Sequence, residues 1–361
     1  MSTLLPDSKR PSALTRDART RKDPAPPDNR RGAGRLAGTV TVEPIEHLTR
    51  YWQAAESGLA WECPFILPPW LGAWWHAFGK GLRGCLYVIR EQSAVLGLVP
   101  VTMSGDRARL VGDPDLIDYS DFVIAPSCEP EFFSPLFGHL RQEGIKEFTA
   151  DRIRADSPAI SFLRAHSAAL GCEVSCRPVD VLYEMDLPDS WEAYLDQLPG
   201  KERHETRRKL RRLEDAGTAD VRIIENASEV PAAMDTFVTL FRSNRPEKAR
   251  FMTGPVETFF RTLAAGMAAA GFVRLFALDL NGLPAAMAMC FDHASTVYLY
   301  NNGFDQRFSH LSAGLLSKVF SIKDSILRGR KRYNFLRGAE PYKRRLGGRA
   351  VRLLRVEVSL R

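Results

Sequence analysis

The chain has 361 residues, 45% hydrophobic and 26% charged, a globular composition long enough for two domains with ordinary cores. Its net charge is +7, but residues 1–38 hold nine basic and four acidic side chains. The remainder is close to neutral, which argues against a general polyanion-binding surface. No run of about 18 apolar residues exists to span a membrane, and six scattered cysteines fit a reducing cytoplasm better than disulfides or zinc.

Residues 1–38 are rich in Pro, Arg, Asp and Ala and are expected to be a disordered basic tail, without the apolar core of a secretory signal. Beyond the tail one plan is expected twice. Trp70–Phe78 reads as a helix ending at Gly79, with Trp70, Trp74 and Trp75 on a core-facing stripe. Cys85–Arg90 and Ala94–Thr102 alternate as strands, Asp121–Ala125 reads as the next strand, Glu131–Gln142 as a helix and Lys146–Ala150 as a strand. In the second half Val256–Ala270 reads as a helix. Val273–Leu280 and Pro284–Phe291 form a hairpin around Asn281-Gly282, a strong turn signal. Val297–Asn301, Ser312–Leu327 and Arg332–Leu336 follow as strand, helix and strand. Two mixed α/β domains, residues 39–180 and 181–361, are expected to join near Pro178–Leu187. Between the repeats, residues 200–217 form a helix in which seven of the twelve residues from Lys201 to Arg212 are basic.

Three stretches carry chemistry. Ser312-Ala313-Gly314-Leu315 opens a helix with small residues, so bare N–H groups and the positive dipole end can meet a phosphate. After the following strand come Arg337, Glu340, Tyr342 and Lys343, a set of titratable groups beside that phosphate site. In the first half, Asp118, Tyr119 and Asp121 place two carboxylates around an aromatic ring, which suits a sugar hydroxyl or an amine. The histidines show no ligand spacing, and no metal is expected.

Several motifs stand in register. Pro64-Phe65, Pro69-Trp70-Leu71 and Trp74-Trp75-His76-Ala77-Phe78-Gly79 are followed by Asp118-Tyr119-Ser120-Asp121-Phe122 and the basic helix. Ser312-Ala313-Gly314-Leu315-Leu316 and Arg337-Gly338-Ala339-Glu340-Pro341-Tyr342-Lys343 complete the set. Over roughly residues 40–361 the chain resembles the CelD/BcsL family of bacterial acetyltransferase-like proteins, of the GNAT superfamily. That family is similar in architecture to the Fem-type peptidyltransferases with two GNAT-like domains. The resemblance implies a fold of two tandem GNAT-like acyltransferase domains, and acetyl-CoA as acyl donor held by Ser312, Ala313, Gly314 and Leu315. The stretch His310-Leu311-Ser312-Ala313-Gly314 departs from the usual Gln/Arg-x-x-Gly-x-Gly/Ala loop.

On an acyl-transfer reading Glu340 is either a general base, raised by burial towards working pH, or a solvated loop carboxylate; Lys343 holds substrate or neutralises the oxyanion, and Tyr342 protonates the thiolate, as a tyrosine does in many GNAT enzymes. Asp118, Tyr119, Asp121, Arg207 and Arg337 are then candidate acceptor-binding residues. The acceptor is expected to be a small molecule or saccharide amine or hydroxyl, in exopolysaccharide, cellulose or cell-envelope metabolism in the cytoplasm. The alternatives are an aminoacyl-tRNA-dependent transferase of Fem type, with the basic helix touching tRNA, and a non-catalytic partner in polysaccharide assembly.

Overall fold

The computed structural model describes residues 38–54, 58–112 and 115–360. The tail expected to be disordered thus lies, apart from Gly38, outside the described residues.

The first half runs β1 (Thr39–Glu43), α1 (Leu48–Gln53), α2 (Pro68–Phe78), β2 (Arg83–Glu91), β3 (Ala94–Ser104), β4 (Arg107–Leu110) and β5 (Val123–Ile124). It continues with α3 (Glu129–Gln142), β6 (Glu147–Arg154), α4 (Pro158–His166) and β7 (Cys172–Asp186). The second half runs α5 (Trp191–Gln197), α6 (Gly200–Asp215), β8 (Ala219–Ile224), α7 (Val230–Asn244), α8 (Pro246–Phe251), α9 (Gly254–Ala269), β9 (Val273–Leu280) and β10 (Leu283–His293). It ends with β11 (Thr296–Phe304), α10 (Ala313–Leu327), β12 (Arg332–Arg337), α11 (Pro341–Arg345) and β13 (Arg349–Leu360).

All strands belong to one mixed sheet, ordered β1-β2-β3-β4-β6-β13-β7-β12-β11-β10-β9-β8, with β5 attached to β3. Each half repeats antiparallel strands that end in one parallel pair, β4 with β6 and β11 with β12. A helix crosses over between the strands of each pair, α3 in the first half and α10 in the second. The closing strands are exchanged. β7 ends the first half in sequence but pairs with β12, while β13 ends the second half and pairs with β6. The two exchanged strands also pair with each other along their whole length. Pro178–Leu187, the expected junction, lies mostly within β7.

The Asn281-Gly282 hairpin forms as expected, with φ of 51° and 76° at the two turn residues. One strand differs from expectation. Only Val123–Ile124 of the stretch Asp121–Ala125 is a strand, on β3, and the parallel partner of β6 is β4. Its sequence, Arg-Ala-Arg-Leu, alternates exposed and buried residues over only four positions, too short a run to stand out as a pattern.

Helices α2, α7 and α9 form a shared apolar layer. The Trp70 and Phe259 rings meet at 5.4 Å, and both side chains are fully buried. Helix α7 lies so close to β11 that a Cβ on Gly303 would sit 2.4 Å from the Phe241 backbone nitrogen. Backbone cannot yield as a flexible side chain can. Gly303→Ala is therefore expected to destabilise the fold by about 2–3 kcal/mol. The reading is a lower denaturant midpoint at unchanged m-value, and an unmoved midpoint would show that α7 does not press on β11.

Candidate active site

The parallel pair β11/β12 is bonded only at Thr296–Arg332, Val297–Tyr333 and Tyr298–Asn334. Beyond that point the strands part, because β12 carries a bulge between Asn334 and Leu336 where it meets β7. Leu336 sits at φ 60°, a conformation that is unfavourable for a branched side chain. Two side chains hold it there. The Asn334 carboxamide oxygen accepts from the Leu336 N–H at 2.8 Å. The Lys343 ammonium donates to the Leu336 carbonyl at 3.0 Å and also to the Arg337 carbonyl.

Parting the strands opens a cleft of about 640 Å³. Lys318 of α10 lines it from one face of the sheet. Lys248 of α8 and Asn244 at the end of α7 line it from the other, and Asp118 reaches in from the first half. Asp118 accepts the Arg337 backbone N–H at 3.1 Å, and the Arg337 side chain lies 3.7 Å away. Burial pushes the Asp118 carboxyl up to about 6, against the opposing pull of Arg337 and Lys343. Lys318 is 6% exposed. Its Nζ donates to the Gly314 carbonyl at 2.5 Å and stands 4.8 Å from the centre of the Tyr342 ring. Burial, assisted by repulsion from Lys248, drives its amine down to about 7. Lys248 donates to the Asn302 carbonyl and lies 4.4 Å over the Phe241 ring, and burial takes its amine down to about 8.

Glu340, Tyr342, Lys343, Asp118 and Arg337 all line this cleft. Glu340, expected to be raised by burial, is instead 55% exposed at the rim and pairs with Lys343 at 3.0 Å. The buried carboxyl of the cleft is Asp118. Lys343, expected to hold substrate, is 1% exposed and spends its donors on two carbonyls and Glu340. It braces the bulge. Burial places the Tyr342 hydroxyl well above the ordinary phenol range, so it stays protonated and can donate.

Ser312, Ala313, Gly314 and Leu315 form the first turn of α10 and the residue before it. Ser312 is left-handed at φ 60° between a short 3-10 turn, Gln306–Leu311, and the helix. The absence of a side chain at Gly314 has a packing cause, since a Cβ there would lie 2.4 Å from the Phe304 ring. Ala313 is fully buried, and none of the four residues lines the cleft. The cationic helix α6 packs against both α10 and the 3-10 turn. Arg207 of α6 is exposed and outside the cleft.

Asp118, Tyr119 and Asp121 do not act together. Tyr119 and Asp121 line a separate cavity of about 450 Å³ near the start of β11 and β12. The Phe65 ring stands between the cavities, 5.2 Å from Tyr119 and 6.1 Å from Tyr300. The same segment closes the corresponding gap of the first half. Ser120 bridges to Ile153 of β6, and the cavity beside β4 and β6 is only about 20 Å³. The two halves therefore repeat a splayed pair, but only the second keeps it open.

Sequence reading missed Lys248, Lys318 and Asn244. Lys318 did leave a signal, because it follows Leu311 and Leu315 and precedes Ile322 on the apolar stripe of α10.

Residues 200–344 match the family model of the acetyltransferase (GNAT) domain. No curated protein matches the chain. Among solved structures the chain is similar to FemX, at 11% identity over 88% of this chain and 96% of that one, with a TM-score of 0.58. It is similar to a conserved protein of unknown function from Bacteroides thetaiotaomicron at 12% identity over 88% and 97%, with a TM-score of 0.57. A tandem GNAT protein from the clavulanic acid biosynthesis pathway aligns at 12% identity over 90% and 99%, with a TM-score of 0.46. At such identities the likeness is one of fold. The chain folds as two GNAT-like α/β halves in tandem, and its residues 200–344 carry a GNAT-type acetyltransferase domain.

Proposed function

We propose that this protein is an acyltransferase that moves an acyl group, acetyl from acetyl-CoA, onto an amine or hydroxyl of a small molecule or saccharide. The observation that carries the reading is the open splay between β11 and β12 beside the start of α10, with a buried titratable carboxyl inside it. When bound, acetyl-CoA supplies a thioester carbonyl. At the α10 start, the backbone N–H groups of Ala313 and Gly314 would meet its pyrophosphate, those of Ser312 and Leu315 being bonded to the Ser309 and Ser312 carbonyls.

Asp118 removes the proton from the attacking amine or hydroxyl, since its carboxyl titrates near working pH. Tyr342, held protonated, donates a hydrogen bond to the departing thiolate. Glu340 and Lys343 keep the bulged turn in place, and Arg337 orients Asp118. The division at residues 39–180 and 181–361 belongs to this reading, with the first half serving as wall and as source of Asp118. The CelD/BcsL-like motifs favour an acceptor from cytoplasmic exopolysaccharide, cellulose or cell-envelope metabolism.

A second reading, transfer from aminoacyl-tRNA, is favoured by the exposed arginines Arg207, Arg211 and Arg212 on α6 beside the start of α10. Free thiol released from acetyl-CoA in the presence of amine and saccharide acceptors tests the first reading. Thiol release that needs an acceptor supports it. Turnover only with charged tRNA, weakening steeply with salt, would replace it by the second.

A further inference from the structure

Three buried or half-buried lysines, Lys248, Lys318 and Lys343, line the cleft with Asp115, Asp118 and Glu340, of which Asp118 faces Arg337 and Glu340 is bonded to Lys343. Among the described residues neither Lys248 nor Lys318 forms an ion pair. Each donates to one backbone carbonyl, Asn302 or Gly314, and rests on an aromatic ring, Phe241 or Tyr342. Buried ammonium groups without a counter-charge are costly, and such sites are occupied by neutral amines or by amines paired with a bound anion. An acetyl group carries no charge to pair with them.

We propose that Lys248 and Lys318, reaching the cleft from opposite faces of the sheet, form a cradle for a permanent anionic oxygen group, carboxylate or phosphate, on the acceptor. Calling that group part of the acceptor rests on the acyl-transfer reading, whereas the cradle stands on geometry alone. The charged groups facing Lys318 are Lys248, Glu340 and Lys343, with the Cys290 thiol and the Tyr342 hydroxyl beside them. Those facing Lys248 are Arg245, Glu340 and Lys318.

In the free protein both amines are held below the ordinary lysine range, so a bound anion must bring protons with it. Affinity is fullest below about 7 and falls as pH rises through 7 and 8, by roughly ten-fold per unit for each proton taken up. The test is calorimetric titration of the full chain with malonate and, separately, with inorganic phosphate, at pH 8.5 in two buffers of different ionisation enthalpy. The expected result is saturable binding with uptake of about one to two protons, reduced by about one in Lys248→Met and in Lys318→Met and unchanged in the exposed Lys146→Met. The anion that binds tighter names the acceptor's group. Binding without proton uptake, uptake indifferent to both cleft variants, or no binding of either anion would overturn the cradle. Acetyl-CoA turnover that survives such a failure leaves the acyl-transfer reading standing. Proton-linked anion binding without any acyl-CoA turnover overturns that reading and keeps the cradle.

Discussion

Replacing Lys318 by methionine is expected to make the protein more stable and less active. The side chain is 6% exposed, and burial drives its amine from the ordinary lysine value down to about 7. A depressed lysine contributes stability that is fully present above its unfolded pKa, near 10.5, and is lost as pH falls through the folded value, about 7. Methionine has similar length and no charge to bury. The variant should therefore match the wild type near pH 10.5, gain on it as pH falls, and hold a constant lead below 7. At about 1.4 kcal/mol per unit the lead amounts to roughly 3–5 kcal/mol. No backbone group is orphaned, because the Gly314 carbonyl already lies in the ladder of α10. Urea titrations at pH 6.5 and pH 10 measure the difference. Equal stability of the two proteins at pH 6.5 would show that Lys318 is solvated or paired there.

Asp118→Asn separates activity from stability in the opposite pH direction. The folded carboxyl is raised from 3.8 to about 6. A raised carboxyl contributes stability fully present below 3.8 and lost as pH rises through about 6. The variant should equal the wild type at pH 4 and exceed it at pH 8 by up to about 3 kcal/mol. The Asn carboxamide oxygen can still accept the Arg337 N–H. Loss of the base should lower kcat/KM by about 10²–10⁴ and remove the rise that the wild-type profile shows through about 6. A variant with near-normal turnover and an unaltered acid limb would move the proton transfer to Glu340.

Much of this fold is written locally. Asn281-Gly282 sets a turn that needs two positive φ values, and α10 carries a clear apolar stripe, so both are legible in order along the chain. The exchange of β7 and β13 is not. It depends on which distant strands pair, and either strand alone reads only as an extended segment.

The site divides in the same way. Glu340, Tyr342 and Lys343 are gathered by one turn and could be grouped from sequence. Lys248 sits in Pro-Glu-Lys-Ala-Arg, which reads as an exposed turn, and only the packing of α8 against α7, which lays its ammonium over Phe241 and on the Asn302 carbonyl, takes it from solvent. Asp118 and Tyr119 are neighbours in sequence, but the chain bends at Asp118 and the two enter different cavities. The roles of Glu340 and Asp118 diverge because exposure, which no spacing reveals, leaves one carboxylate at the rim and buries the other.

The most direct test of the account is hydrogen exchange of the wild-type protein with and without saturating acetyl-CoA. Slowed exchange is expected in 299–304, 313–316 and 335–343, the two sides of the open splay and the start of α10, with 107–112 of the closed first-half splay unchanged. Protection confined to the first half or to α6, or no protection at concentrations that saturate ordinary acetyltransferases, would contradict it.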